Sequence, residues 1–214
     1  MAAEELRGEA APGEPTQRLF YALWPDEAMR EAMVQATRKQ ARASGGRPVP
    51  AANLHVTLAF LGSVPQRRLP ELAEIGRGAA ETLRPALAAA ASAGGFLELA
   101  FDHLEHWRAA KLVCALPAEP PAPVTILACR LQDLLVGRGF TPDLKPFRPH
   151  VTVVRKVARP GTTGSRGKMQ PVIWRFTELA LIASRTLPEG ALYSVVGSYA
   201  LCSGTNAANN SETP

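Results

Sequence analysis

Two histidines of the 214-residue chain stand in the same short pattern, each followed two residues later by a threonine. The first copy is His55 and Thr57 within NLHVTLAF, and the second is His150 and Thr152 within PHVTVVRK. Side chains two residues apart in a strand point to the same face, so each histidine shares a face with its threonine. The neighbouring apolar residues form the opposite face. The pattern therefore predicts two strands that pack one face on a core and present an imidazole and a hydroxyl on the other.

The residue types of this pattern suit proton transfer at a phosphate. Histidine, with an ordinary pKa of about 6.5, is the side chain that gives or takes a proton near neutral pH. Two imidazoles that face one phosphate can act as general base and general acid, and threonine hydroxyls can donate to its oxygens. One copy is more simply explained as a half-buried strand residue, but two copies on similar strands favour chemistry. No carboxylate, cysteine or third histidine accompanies them, so we expect neither a metal site nor a cofactor.

Composition narrows the class of protein. Apolar residues make up 46% and charged residues 20% of the chain, which is typical of a soluble globular domain. No apolar run reaches the roughly 18 residues of a membrane-spanning helix, and the N-terminus lacks the pattern of a secretory signal. The three cysteines form no C-x-x-C pair, so we expect a cytoplasmic protein without disulfides. A net charge of +5 favours an anionic partner, although an Ala- and Arg-rich genome produces the same surplus.

Periodicity and turn residues predict an α+β fold. Apolar residues at helical spacing predict helices over 25–42, 70–93 and 123–138, and alternating or apolar runs between them predict strands. Two glycines and a proline are expected to weaken or break the second helix, namely Gly76, Gly78 and Pro85. Each half contributes a helix and a His-x-Thr strand. The order therefore predicts two antiparallel sheets with helices outside them and a diffuse two-fold duplication.

The chain is expected to form one folded domain over residues 17–203. Residues 1–16 and 204–214 are rich in small and polar residues and are expected to be solvated tails. We expect the protein to be a monomer.

In their context the two motifs resemble the two-histidine phosphoesterase superfamily, and within it the RNA 2′,3′-cyclic phosphodiesterases, historically called 2′-5′ RNA ligases. The family signature, His-x-Thr followed by an apolar residue, stands here as His55-Val56-Thr57-Leu58 and His150-Val151-Thr152-Val153. RLFYALWP resembles the opening strand of the family and SRTLPEGALYSVV its final hairpin. The likeness covers residues 17 to 202. Val153-Val154 replaces a commoner Leu-Ala type pair, and the ALAAAASAGG tract interrupts the helical region.

The resemblance implies a bilobal fold in which the two motifs face each other across a central cleft. It also implies hydrolysis of a terminal RNA 2′,3′-cyclic phosphate to a 2′-phosphate without a metal, and ligation of 2′-5′ linkages as the reverse chemistry at the same site. We favour His150 as proton acceptor and His55 as proton donor, although the sequence leaves the reverse assignment open, and we expect Thr57 and Thr152 to bind substrate. RNA 3′ ends or small cyclic-phosphate nucleotides are the expected partners.

Two other functions remain open on the sequence. One is physiological ligation of a 2′,3′-cyclic phosphate end to a 5′-hydroxyl end, and the other is a non-catalytic module that binds RNA or nucleotides. The presence of both histidines argues against the non-catalytic module.

Several further residues are candidates for substrate contact. Arg155 follows the second motif, but simple alternation puts it on the face opposite His150, so it requires a bulge to reach the phosphate. Arg148 can hold an RNA phosphate, Phe147 can stack on a terminal base, and the basic loop 159–168 can contact an RNA chain. Outside the motifs, two histidines in FDHLEHW (His103 and His106) are expected on a hairpin surface.

Overall fold

The computed structural model describes residues 14–89, 95–143, 145–157, 167–188 and 190–202. The predicted tails therefore lie outside the described residues except for residues 14–16, which belong to the folded body. Thr16 begins the first strand, and the carbonyl of Pro15 accepts a hydrogen bond from the amide of Gln66. Most of the basic loop 159–168 also lies outside, including Arg159 and Arg166.

Three helices are present in the described residues: α1 (Glu27–Ala43), α2 (Leu69–Ala89) and α3 (Ala122–Gly137). Each was predicted, with ends within a few residues. The carboxylate of Asp26 begins α1 by accepting the amide of Met29 at 2.8 Å, as an N-cap does. The expected break in α2 was wrong, because one face of this helix is buried along its length and that burial outweighs the low helix propensity of two glycines and a proline.

Nine strands are present in the same residues. They are β1 (Thr16–Leu23), β2 (Arg47–Pro48), β3 (Val56–Pro65), β4 (Leu97–Trp107), β5 (Leu112–Leu116), β6 (Val151–Arg155), β7 (Gly167–Phe176), β8 (Glu178–Leu187) and β9 (Gly190–Ala200). All the pairings are antiparallel. The α+β class is thereby confirmed.

The strands lie in the order β7-β4-β5-β6-β3-β1-β8-β9, with β2 paired to β6. This order divides into two halves, β7-β4-β5-β6 and β3-β1-β8-β9. In each half the His-x-Thr strand, β6 or β3, lies next to the other half. The two predicted sheets are in fact joined, because β3 and β6 pair at Val56 and Val151. In the described residues this is the only register pair between the two halves, so it fixes how the motif strands lie relative to each other.

Alternation on β1 separates the main core from the functional face. Leu19, Tyr21 and Leu23 belong to the main core, where the hydroxyl of Tyr21 donates to the carbonyl of Leu72 in α2. Phe20 and Ala22 point to the other face and form a small separate cluster with residues of β8. The ring of Phe20 lies 4.9 Å from the ring of His55, so the first motif is on the face of β1 opposite α2.

Candidate active site

The two motif strands carry the same irregularity at the same place. On β3, Tyr21 pairs with Ala59 and Ala22 with Thr57, so Leu58 is an extra residue. On β6, Val113 pairs with Val154 and Cys114 with Thr152, which leaves Val153 extra. An extra residue in one strand is a β-bulge, and it reverses the alternation of faces beyond it.

The bulge in β6 decides the place of Arg155. Val153, the extra residue, and Val154 after it are both buried in the main core, and Arg155 then returns to the face of His150 and Thr152. The exposed side chain of Arg155 lines the same pocket as the two motifs. The sequence predicted that Arg155 reaches the site only if β6 contains a bulge. The structure contains that bulge.

The two motifs form one small pocket at the junction of the halves. His55 and His150 each lie one residue before their strands begin, next to the paired Val56 and Val151. The cavity has a volume of about 180 Å³ and is lined by Asn53, His55, Thr57, Leu112, His150, Thr152 and Arg155. Four of the predicted functional side chains, together with Arg155, thus surround a space suited to a phosphate-sized group.

Both imidazoles are held in the same way. Nδ1 of His55 lies 2.8 Å from the carbonyl oxygen of Asn53, and Nδ1 of His150 lies 2.8 Å from that of Arg148. A carbonyl only accepts, so Nδ1 carries the proton and donates it in each case. In the neutral ring Nε2 is then a free acceptor. Each histidine is therefore presented with the tautomer that can take a proton at Nε2.

Aromatic rings enclose His55. The ring centroids of Phe20, Trp24 and Tyr193 lie 4.9, 5.5 and 5.3 Å from that of His55. The pKa of His55 is lowered to about 4, chiefly by burial and to a smaller extent by the positive charge of Arg155, while the bond to the Asn53 carbonyl opposes the change. The ring is neutral at pH 7 in the free protein.

The surroundings of His150 are more polar. Its ring touches that of Trp107 at a centroid distance of 4.5 Å. Burial lowers the pKa of His150 as well, with Arg148 and Arg155 adding to the effect and the bond to the Arg148 carbonyl opposing it. Glu105 supports this side of the site, because it accepts from the indole of Trp107 at 3.0 Å and from Arg148 at 2.9 Å.

The two threonines are half-buried and occupy matching positions. Thr57 pairs with Ala22 of β1, and Thr152 pairs with Cys114 of β5. Burial raises the pKa of Cys114 to about 12, so this residue is a neutral thiol, with its Sγ 3.9 Å from Oγ1 of Thr152. The hydroxyls of both threonines line the pocket and are placed to donate to oxygen atoms of a bound group.

Two predicted substrate-binding residues lie outside the pocket lining. Phe147 is half-buried and packs against the main core. Arg148 is ion-paired with Glu105, and its guanidinium carbon lies 5.5 Å from the ring centroid of Trp107. Its contribution to the site is the backbone carbonyl that holds His150.

Sequence reasoning missed several residues that shape the site, namely Trp24, Asn53, Glu105, Trp107, Leu112 and Tyr193. Asn53 could have been found from the sequence, because it stands two residues before His55, as Arg148 stands two residues before His150. The others come from strands distant in sequence. His103 was expected on the surface but is 7% exposed, because its Nδ1 bonds to Asp102 at 2.7 Å and a register shift between Phe101 and His103 turns it inward.

The described residues contain no group of three or more His, Cys, Asp or Glu side chains arranged to hold a metal ion. They also contain no helix long and apolar enough to cross a membrane.

An antiparallel α+β fold with a His-x-Thr strand innermost in each half is the architecture expected for the two-histidine class of phosphoesterase. Comparisons with known proteins agree. Residues 24–186 match the sequence profile of the 2′-5′ RNA ligase superfamily. The chain therefore belongs to that superfamily.

Relatives and solved structures extend the match over most of the chain. The RNA 2′,3′-cyclic phosphodiesterase of Thermus thermophilus is 30% identical over 190 residues, covering 86% of this chain and 90% of that protein. The Escherichia coli protein of the same name is 30% identical over 170 residues, covering 78% and 87%. The crystal structure of E. coli LigT complexed with 3′-AMP superimposes with a TM-score of 0.73 at 27% identity, covering 87% of this chain and 99% of that one.

Proposed function

We propose that this protein hydrolyses the 2′,3′-cyclic phosphate at the end of an RNA to a 2′-phosphate, without a metal ion. The observation that carries the proposal is the joint lining of one small pocket by His55, Thr57, His150 and Thr152, one pair from each half of the fold. Relatives named as RNA 2′,3′-cyclic phosphodiesterases support the substrate class.

The reaction needs one proton acceptor and one proton donor. The base takes a proton at Nε2 from a water molecule whose oxygen attacks phosphorus, and the bond between phosphorus and the 3′ oxygen breaks. The acid gives its Nε2 proton to that departing 3′ oxygen. One water is consumed, and the protein ends with the proton on the base. The ring that began as the acid then regains a proton, so no other reactant is required.

The remaining lining groups stabilise charge. Negative charge on the non-bridging phosphate oxygens is offset by the guanidinium of Arg155 and by hydrogen bonds from Thr57 and Thr152. These groups are on β3 and β6, which pair with each other at Val56 and Val151, so they need little rearrangement when the phosphate binds.

We retain His55 as proton donor and His150 as proton acceptor. Burial, and with it the charges of Arg148 and Arg155, lowers the pKa of His150 and favours the neutral ring that a base requires. His55 must gain a proton when substrate binds. An anionic phosphate about 4 Å away stabilises an imidazolium by about 4 kcal/mol at an effective dielectric of about 20, which is enough to bring the pKa of His55 from about 4 back toward neutrality.

The proposal also includes the binding partner of the protein, its oligomeric state and its cellular compartment. The partner is an RNA 3′ end or a cyclic-phosphate nucleotide, and the LigT structures with 3′-AMP and with ATP support binding of nucleotides at this fold. The protein acts as a monomer in the cytoplasm. Three free cysteines support a reducing setting.

Product analysis tests the proposal. An oligoribonucleotide ending in 2′,3′-cyclic phosphate is incubated with the protein in the presence of EDTA, with and without a second RNA bearing a 5′-hydroxyl. We expect a 2′-phosphate end, and a loss of about 10²–10⁴-fold in rate for His55→Ala and for His150→Ala separately. His106→Ala is the matched control and keeps its rate, because this histidine lies outside the pocket lining.

Three outcomes contradict the proposal in different ways. A 3′-phosphate product means that the other ester bond breaks. Joined RNA as the main product in the presence of the second RNA makes the protein a ligase. Rates unchanged in both alanine variants mean that the two histidines are not catalytic.

A further inference from the structure

A second and larger cavity adjoins the catalytic pocket. It has a volume of about 760 Å³, and its walls are formed by β2 with the residues after it, by the end of β6, and by the tip of the β8–β9 hairpin. We call it the hairpin groove and define it by Arg47, Asn53, Arg155, Lys156, Leu192 and Tyr193. Asn53 and Arg155 line both cavities, so the groove continues directly from the catalytic pocket.

The sizes of the two cavities show how a substrate must divide between them. Sites for small molecules and cofactors have volumes of about 300–1,000 Å³. The catalytic pocket, at about 180 Å³, is below that range and suits the cyclic phosphate with part of its ribose. The hairpin groove falls within the range. The rest of a bound RNA therefore has to lie outside the pocket, and the groove provides adjoining space.

The charges of the groove are arranged at a cost to the fold. Arg47 of β2 pairs directly with Arg155 of β6, and like charges opposite each other on neighbouring strands destabilise a sheet. Lys156 follows with a left-handed backbone (φ 56°) and lines the same groove. An anion bound between these cations removes the repulsion, so their proximity indicates a negatively charged occupant.

No acidic partner in the described part of the chain offsets these charges. Among the described residues, the side chains of Arg47, Arg155 and Lys156 make no hydrogen bond or ion pair, whereas the exposed Arg148 and Arg175 are each paired with a glutamate. The described lining of the groove contains no acidic residue. Glu189, which stands between β8 and β9 in the sequence, lies outside the described residues.

The opposite wall of the groove is apolar and held in place. Leu192 is 52% exposed and Leu187 37% exposed, and the ring of Tyr193 lines the groove while its edge packs against His55. The side-chain amide of Asn53 donates to the carbonyl of Ala191 at 2.9 Å, which ties this wall to the catalytic motif. A cationic wall facing an apolar and aromatic wall is the combination that binds single-stranded nucleic acid, with phosphates on one side and bases on the other.

We propose that the hairpin groove binds the nucleotides on the 5′ side of the cyclic phosphate, with Arg47 and Lys156 contacting their backbone phosphates. This inference rests on the proposed function and adds the substrate class to it: an RNA chain in preference to a cyclic mononucleotide. A 3′-terminal cyclic phosphate has chain only on its 5′ side, so the occupant is that chain.

A length series tests the inference. The kcat/KM of the unaltered protein is measured for 2′,3′-cyclic AMP and for di- and trinucleotides with the same end, and then for Arg47→Gln with Lys156→Gln. We expect kcat/KM to rise with length in the unaltered protein. In the double variant it should fall about tenfold for the trinucleotide and stay unchanged for 2′,3′-cyclic AMP, with the salt slope for the trinucleotide lower by about 1.4, since each phosphate contact on single strands contributes about 0.7.

The matched control removes the same charge elsewhere. Arg77→Gln with Arg130→Gln alters two exposed arginines on α2 and α3 that line neither cavity, and we expect it to leave the length series unchanged. An equal loss of kcat/KM in both double variants means that only net charge matters. Equal losses on 2′,3′-cyclic AMP and on the trinucleotide mean that Arg47 and Lys156 act within the catalytic pocket. Either result overturns the inference. No dependence on length in the unaltered protein overturns it while the function stands. If the unaltered protein turns over none of these substrates, the proposed function itself fails and the inference falls with it.

Discussion

His55 and His150 share one backbone arrangement but differ in their neighbours, and this difference bears on their roles. Both donate Nδ1–H to the carbonyl two residues earlier. His55 is packed among three aromatic rings, whereas His150 touches one ring and lies near Arg148; Arg155 is near both histidines. A proton on His55 is unfavourable in the free protein and becomes favourable only beside an anion. A ring that is protonated only when substrate is bound carries its proton at the moment of reaction and can give it to the departing oxygen.

A substrate with a better leaving group separates the two roles. If sulfur replaces the 3′ bridging oxygen of the cyclic phosphate, the departing thiolate needs no proton, because thiols ionise with a pKa of about 8.5. We expect His55→Ala to recover most of its lost rate on this substrate and His150→Ala to recover little. The measurement is the ratio of kcat on the sulfur and oxygen substrates for each variant. Recovery in His150→Ala alone would exchange the roles of acid and base.

Local sequence pattern predicted the motif residues but not the contacts between residues that are distant in sequence. Alternation alone placed His55 with Thr57 and His150 with Thr152, because these pairs depend only on strand geometry. Arg155 depends on a bulge whose presence is set by pairing with β5, so the sequence could state the condition and not its outcome. Trp107 and Tyr193 come from β4 and β9, and nothing near the motifs indicates that these rings pack against the histidines.

At the scale of elements, α2 shows how one contact explains residues that looked unfavourable. The helix runs from Leu69 to Ala89 although it contains two glycines and a proline. A Cβ at Gly76 would lie 2.7 Å from Cζ of Tyr199, inside contact distance. Gly76 is therefore the residue that lets α2 approach β9. Composition alone predicts the low helix propensity of Gly76 but not its contact with the ring of Tyr199.

Two glycines of α2 provide a paired test of this packing. Gly76→Ala forces the Tyr199 ring to move, and overpacking of this kind costs about 1–3 kcal/mol. Gly78→Ala brings its Cβ to 3.6 Å from Cδ1 of Leu134, an ordinary contact, so the gain in helix propensity of about 0.5–1 kcal/mol should remain. Urea denaturation of both variants measures the difference. Equal stabilisation by the two substitutions would show that Tyr199 does not restrict α2 at Gly76.

At the scale of the whole molecule, the catalytic pocket lies where the fold has its least pairing. Within the described residues the two halves of the sheet share the single pair Val56–Val151, and the histidines immediately precede these two valines. A group that binds both histidines therefore also bridges the halves. Ligand binding and the integrity of the central junction should be coupled, because any species that binds only the folded protein stabilises it by mass action.

Inorganic phosphate is the simplest probe of this coupling. At about 100 times its Kd it should stabilise the folded protein by about 2.7 kcal/mol, which corresponds to a rise in Tm of roughly 5–10 °C for a chain of this size. Chloride at matched ionic strength is the control for screening. Hydrogen exchange should slow at the amides of Val56 and Val151 more than at the outer strands β7 and β9.

In His150→Ala the phosphate effect should shrink on both readouts, because the anion then loses its partner on one side of the junction. An undiminished rise in Tm in that variant would place the anion elsewhere, and protection spread evenly over the sheet would mean that binding does not act through the junction of the two halves.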